Sequence, residues 1–205
     1  MDAAGVQKPF SVAFRVGKAE RPKLLTGFFY DWLTLRGLSG TADGQTGALA
    51  TNTLYVWPLH VPFRVTVLTL NLAVTTADGV GSAEFRIGIY RDSGGLPDTL
   101  VANSDSGVLS CGSTGNKQAD VTDFVLDEGM YWQALAINAT SPQFRCYRDA
   151  TAGAAIGTQL GETSAAGSTK NYGYQRAFTF AALPASAGSF STLTTIPNAR
   201  IQLGT

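Results

Sequence analysis

The chain has 205 residues, 44% of them hydrophobic, while only 15% are Asp, Glu, Lys or Arg and the formal net charge is zero. That supplies core material for one large β domain, or one and a half. It excludes the concentrated basic footprint that nucleic-acid binding needs, and no apolar run reaches the ~18 residues of a membrane span.

Residues 1 to about 50 read as a segment apart. Met1 to Lys8 has no apolar core of a signal peptide, so none is expected. Phe10, Val12, Phe14 and Val16 alternate as in a strand. Arg15, Lys18, Arg21 and Lys23, with Glu20 among them, either solvate this arm or meet an acidic protein surface. Leu24 to Leu38 then concentrates bulk, led by Phe28, Phe29, Tyr30 and Trp32. At roughly 1.5–3 kcal/mol per fully buried side chain, these residues must pack on the domain or on a partner. Ser39 to Thr53 has linker composition.

From Leu54 to Ile137, short alternating runs are punctuated by Gly, Pro, Asn and Asp, with almost no credible helix. Pro58 and Pro62 make Leu54 to Pro62 an extended strand at the start or edge of a sheet. In Phe63 to Val74 the buried phase switches from Phe63, Val65 and Val67 to Leu68, Leu70, Leu72 and Val74. That switch predicts a bulge at Val67-Leu68, or a strand covered on both faces. After a turn at Asp78-Gly79, Ala83, Phe85, Ile87 and Ile89 alternate with Glu84, Arg86, Gly88 and Tyr90, the pattern of a half-buried antiparallel strand. Further strands are expected over 99–102, 107–110, 119–126 and 130–138. In the last, Trp132, Ala134 and Ala136 face one way, and Tyr131, Gln133, Leu135 and Ile137 the other. Gln143 to Tyr147 continues the sheet, and Ala150 to Gly173 is a long loop or an insertion covered by another subunit. Tyr172 to Phe180 regains strand character, Leu183 to Pro197 is loop, and Ala199 to Leu203 is a terminal strand.

Three of these motifs, in order over about residues 55–140, resemble a jelly-roll-like β-sandwich domain of phage virion surface proteins. The first is Trp57-Pro58-Leu59-His60-Val61-Pro62-Phe63, with the Val/Leu strand that Thr75-Thr76-Ala77 closes. Arg86-Ile87-Gly88-Ile89-Tyr90 with Gly94-Gly95-Leu96-Pro97-Asp98-Thr99-Leu100 is similar to that domain's Gly-Ile-Tyr and Gly-Gly hairpin, with Pro97-Asp98 where Pro-Gly is usual. Leu126 to Ala134 is similar to its Tyr-Trp strand. The resemblance implies a tail-fibre, head-fibre or capsid-decoration role, commonly as a homotrimer. The motifs themselves read as fold determinants: Gly88 permits close approach, Gly94-Gly95 supplies positive φ, and Gly129 lets the chain turn before Tyr131-Trp132.

Reactive groups are few. His60 is the sole histidine, which excludes a histidine-based metal site, and it reads as a hydrogen-bonded edge residue. No Gly-x-Ser-x-Gly motif is present, and the glycine-rich 161–173 lacks the Lys-Ser/Thr of a phosphate cradle. Asp120, Asp123, Asp127 and Glu128 read as a solvated turn, with calcium or a glycosidase pair as alternatives; Asp120 and Asp123 are expected on opposite strand faces. Cys111 and Cys146 are either two semi-buried thiols or one disulfide. Asn138-Ala139-Thr140 is a sequon that means little without secretion. Tyr147, Tyr172, Tyr174 and Phe178, with Gln175 and Arg176 nearby, suit glycan stacking or, equally, packing.

The expectation is therefore an all-β protein: an antiparallel jelly-roll-like β-sandwich over 54–205, with an extended N-terminal attachment or clasping arm over 1–50. No enzyme activity, metal or cofactor is expected. The expected role is a homotrimeric fibre or spike knob of a phage virion, assembled in the host cytoplasm. Phe28, Phe29, Tyr30 and Trp32 would hold it to capsid or tail proteins, and Tyr147, Tyr172, Tyr174 and Arg176 would meet host surface polysaccharide. Capsid decoration is the alternative, and a glycan-cleaving spike a third reading. Neither nucleic acid nor membrane insertion belongs to any of them.

Overall fold

The computed structural model describes residues 29–30, 44–45, 49–146, 173–193 and 200–204. Every element among them is a β-strand, and all pairings are antiparallel. In chain order they are β1 (Phe29–Tyr30), β2 (Gly44–Gln45), β3 (Thr53–Val61), β4 (Val65–Thr76), β5 (Glu84–Ser93), β6 (Leu96–Leu100) and β7 (Leu109–Ser110). They continue as β8 (Gly115–Leu126), β9 (Gly129–Ile137), β10 (Gln143–Cys146), β11 (Gly173–Ala177), β12 (Ser191–Leu193) and β13 (Arg200–Gly204).

Two sheets form. In the first, β4 carries β8 on one edge and shares the other between β13 and β10, which continue to β1 and β2. The second runs β12-β11-β3-β9-β5-β6, with β7 also on β5. Setting aside β6 and β7, which pair with β5, the strands β3, β4, β5, β8, β9 and β10 alternate between the two sheets in chain order.

Period-two alternation fills the space between the layers. Trp57 and Leu59 of β3, Phe85 and Ile87 of β5, and Leu135 of β9 meet Leu70, Leu72 and Val74 of β4, Leu126 of β8 and Phe144 of β10. Phe85 and Phe144 bridge the sheets edge to face, with centroids 5.2 Å apart. One polar pair is buried with them: the Trp57 indole N–H donates to Gln133 Oε1 at 2.7 Å. The hydrogen bond lets both sit in the core without an orphaned donor.

The predicted phase switch in β4 is present. Val65 and Val67 point inward, then Leu70, Leu72 and Val74, and the register shifts between Val67 and Thr69. The switch falls across Leu68-Thr69, so Leu68 is only half-buried rather than the first residue of the new phase. The hairpin from β5 to β6 turns on Gly94 and Gly95 at φ +63° and +85°, the pair of positive values a two-residue turn requires.

Two strands differ from expectation in what covers them. β5 is more than half-buried, because Gly88 and Tyr90 on its outer side are buried as well. β3 is an edge strand only in part. Thr53 to Val56 lie between β11 and β9, whereas Trp57 to Val61 pair with β9 alone among the described residues. Pro58, which has no N–H to give, stands in that second half.

The turn before β5 is organised by Asp78. Its carboxylate accepts the backbone N–H groups of Ser82 and Ala83, both at 2.9 Å, and the Ser141 hydroxyl at 2.7 Å. The Ser141 bond holds the carboxyl below its usual pKa range against the opposing effect of burial. Cys111 beside it carries a free, buried thiol, and burial pushes its pKa up to about 12.

Two glycines mark backbone close approaches. A Cβ on Gly173 would strike the carbonyl oxygen of Val56, which sheet hydrogen bonding fixes; one on Gly88 would strike the buried tip of Leu183 and stand 3.1 Å from the Ser104 carbonyl oxygen. Gly173→Ala is therefore expected to cost about 3 kcal/mol and Gly88→Ala, which raises the floor beneath buried Leu183, about 2 kcal/mol. Urea unfolding of both variants checks that order.

Candidate functional site

The second sheet has a second buried face, and the site grows from it. Register places outward-facing residues of neighbouring strands in rows. Tyr174, Val56, Ala134 and Gly88 form one row, and Arg176, Leu54, Ala136 and Arg86 the next. Ala134, Ala136 and Gly88 leave a trough in the middle, with Tyr90 and Trp132 as one wall. The irregular segment 178–190 crosses it as a strap, burying Leu183 and Ala187.

Directed bonds hold the strap. Tyr90 Oη donates to the Pro184 carbonyl at 2.8 Å, Leu100 N–H to the Ala185 carbonyl at 2.9 Å, and Ala187 N–H to the Asp98 carbonyl at 2.7 Å. Burial pushes the Tyr90 hydroxyl far above its usual pKa, so it stays a neutral donor. Asp105 is the junction. It accepts from Arg86 Nη1 with both oxygens at 2.8 Å, from Gly107 N–H at 3.0 Å and from Leu183 N–H at 2.9 Å.

The loop that carries Asp105 also closes the exposed stretch of β5 between β7 and β6. Ser104 Oγ accepts from Ile89 N–H and donates to the Ile89 carbonyl, while Ser106 Oγ accepts from Ile87 N–H. Two serine hydroxyls thus stand in for a missing strand.

Where the two ends of the strap meet lies a group of rings around one cation. Tyr174 sits 5.5 Å from Trp132 and 6.2 Å from Phe190, centroid to centroid. The Arg176 guanidinium lies 5.6 Å over Phe178 and 5.9 Å from Phe190. Gly188, at φ +75°, keeps that side free; its Cβ would stand 3.4 Å from the guanidinium carbon. Tyr174, Arg176, Phe178 and Phe190 are all half-buried, with one side in the cluster and one toward solvent. Trp132 behind them is fixed by its N–H to Asp92 Oδ1 at 2.7 Å.

Of the sequence candidates, Tyr174 and Arg176 come together on one face of β11, whereas Tyr147 and Tyr172 lie outside the described residues. Phe28 and Trp32 lie outside them too; Phe29 and Tyr30 form β1, opposite Gln202 and Ile201 of β13. Phe190 belongs to the cluster too, although the loop-like run of Ala, Ser and Gly before it carries no local sign of that place. Trp132 was legible as one face of β9, with no sign of what it would meet.

The other chemistry stays dispersed. Asp120 accepts from Gln118, and Asp127 faces Arg64 at 3.5 Å with both side chains largely exposed. Asp120 and Asp123 are both exposed, because a register shift between Phe124 and Asp120 breaks the parity on which opposite faces were expected. Among the described residues no three His, Cys, Asp or Glu side chains gather closely enough to hold a metal. Comparison with protein-family models, with curated proteins and with solved structures gave no match.

Removing the junction tests the strap. Asp105→Ala leaves Arg86 without its carboxylate and the Leu183 N–H without its acceptor, at an expected cost of about 2–3 kcal/mol. Hydrogen exchange is expected to quicken at residues 183–187 before it does at β9; protection there equal to that of the unsubstituted protein would show that Asp105 does not hold the strap.

Proposed function

We propose that this chain is a non-enzymatic structural protein of a phage virion, a trimeric fibre- or spike-type knob that contacts host surface glycans through the cluster around Tyr174 and Arg176. The observation that carries the reading is the half-exposed ring group on a sheet buried on both faces. Flat apolar faces beside a fixed planar donor suit a pyranose, whose C–H face stacks on a ring while its hydroxyls accept hydrogen bonds. The support for a jelly-roll arrangement is the return of β9 to lie between β3 and β5, with β8 against β4, a Greek-key insertion in two facing sheets. A surface with few charges offers little repulsion between copies, which favours a subunit of an assembly. The bulky residues of 24–38 would serve attachment to the particle. Capsid decoration is the second reading, favoured by that same weak charge, which suits close packing on a shell.

Sedimentation equilibrium at micromolar concentration, joined to a bacterial-glycan array, tests this. A trimer that retains glycans without cleaving them is expected, with Tyr174→Ala lowering affinity about tenfold. A stable monomer that retains no glycan would overturn the knob reading. A trimer that binds stripped capsids but no sugar would favour decoration.

A further inference from the structure

We propose that the ring cluster selects carboxylated sugars, uronic or sialic acids, over neutral ones; this rests on the glycan-binding reading and names its ligand class. The carrying observation is the state of Arg176. Its guanidinium has two phenylalanine rings for neighbours, yet among the described residues no carboxylate or carbonyl pairs with it, and its Nε is shielded from water without an acceptor. Among the described residues, the two carboxylates that brace the strap and Trp132 are already engaged. Asp105 is held by Arg86, Gly107 and Leu183, and Asp92 by Trp132 and Gly95.

A cation placed this way is pre-organised. The rings of Phe178 and Phe190 and the bare backbone of Gly188 fix the plane of the fork without consuming its donors. An incoming carboxylate can take the outer Nη groups through charge-assisted bonds, while the sugar ring bearing it lies on Tyr174 or Phe190. A neutral sugar gains only the stacking. A lone cation between rings, in a chain of zero net charge, matches one carboxylate on a flat ring better than a run of phosphates.

The test uses the full chain and a panel of uronic- and sialic-acid oligosaccharides, each beside its carboxyl-reduced form, in calorimetry at low and physiological salt. The acids are expected to bind at least about tenfold tighter than their reduced forms, the factor one charge-assisted hydrogen bond supplies. That preference is expected to shrink with salt and to vanish in Arg176→Met, and Arg176→Lys keeps part of it should the methionine variant unfold. Equal binding of acid and reduced forms would overturn this inference and leave glycan binding intact. Binding of neither form would remove both.

Discussion

One sheet in this protein is buried on both faces, and the rest of the architecture follows from that constraint. A strand covered on two sides cannot alternate apolar with polar, because both sets of side chains leave water. β9 meets the demand by splitting its residues by size. Leu135 and Ile137 fill the space between the sheets, and Ala134 and Ala136 keep the outer face low enough for a strap to lie on it. Gly88 continues that low ground onto β5. The trough and its plug, Leu183, depend on each other: without the leucine the alanines would face water, and without the alanines the leucine could not descend.

Polar groups then fix what apolar burial leaves undetermined. Hydrophobic contact would hold Leu183 near the trough in many orientations, whereas Asp105 and the Tyr90 hydroxyl address single backbone atoms of the strap. Because the strap is fixed, Phe190 arrives beside Tyr174, and Arg176 is caught between rings rather than left to wave in solvent. The ring cluster is thus a consequence of outer-face packing, and its exposed side is available for recognition at no further cost in order.

Much of the fold was legible in the residues because it rests on period-two alternation, which a sequence displays directly. The inward sets of β5 and β9, the phase switch in β4 and the double-glycine turn could all be read from Phe85, Leu135, Val67 and Gly94. What could not be read was the second buried face. Between Phe180 and Phe190 the strap that creates it is a run of Ala, Pro, Ser and Gly with one leucine, whose composition is that of any surface loop. Its value lies in which backbone atoms meet Asp105 and Tyr90, which is long-range geometry that no local pattern encodes. The same blindness applies to the site: Tyr174 and Arg176 share a face by simple alternation, while Phe190 joins them only after the strap has crossed the sheet.

The claim that segment 178–190 is core rather than covering loop can be measured directly by truncating Leu183 and comparing it with Leu72, a residue between the sheets. Both are buried, at 5% and 1% exposure. Chemical denaturation of Leu183→Ala and Leu72→Ala is expected to show similar losses, each within the roughly 2–5 kcal/mol of a buried leucine. A loss below about 1 kcal/mol for Leu183→Ala, beside a full loss for Leu72→Ala, would place the strap with ordinary surface substitutions and contradict the account.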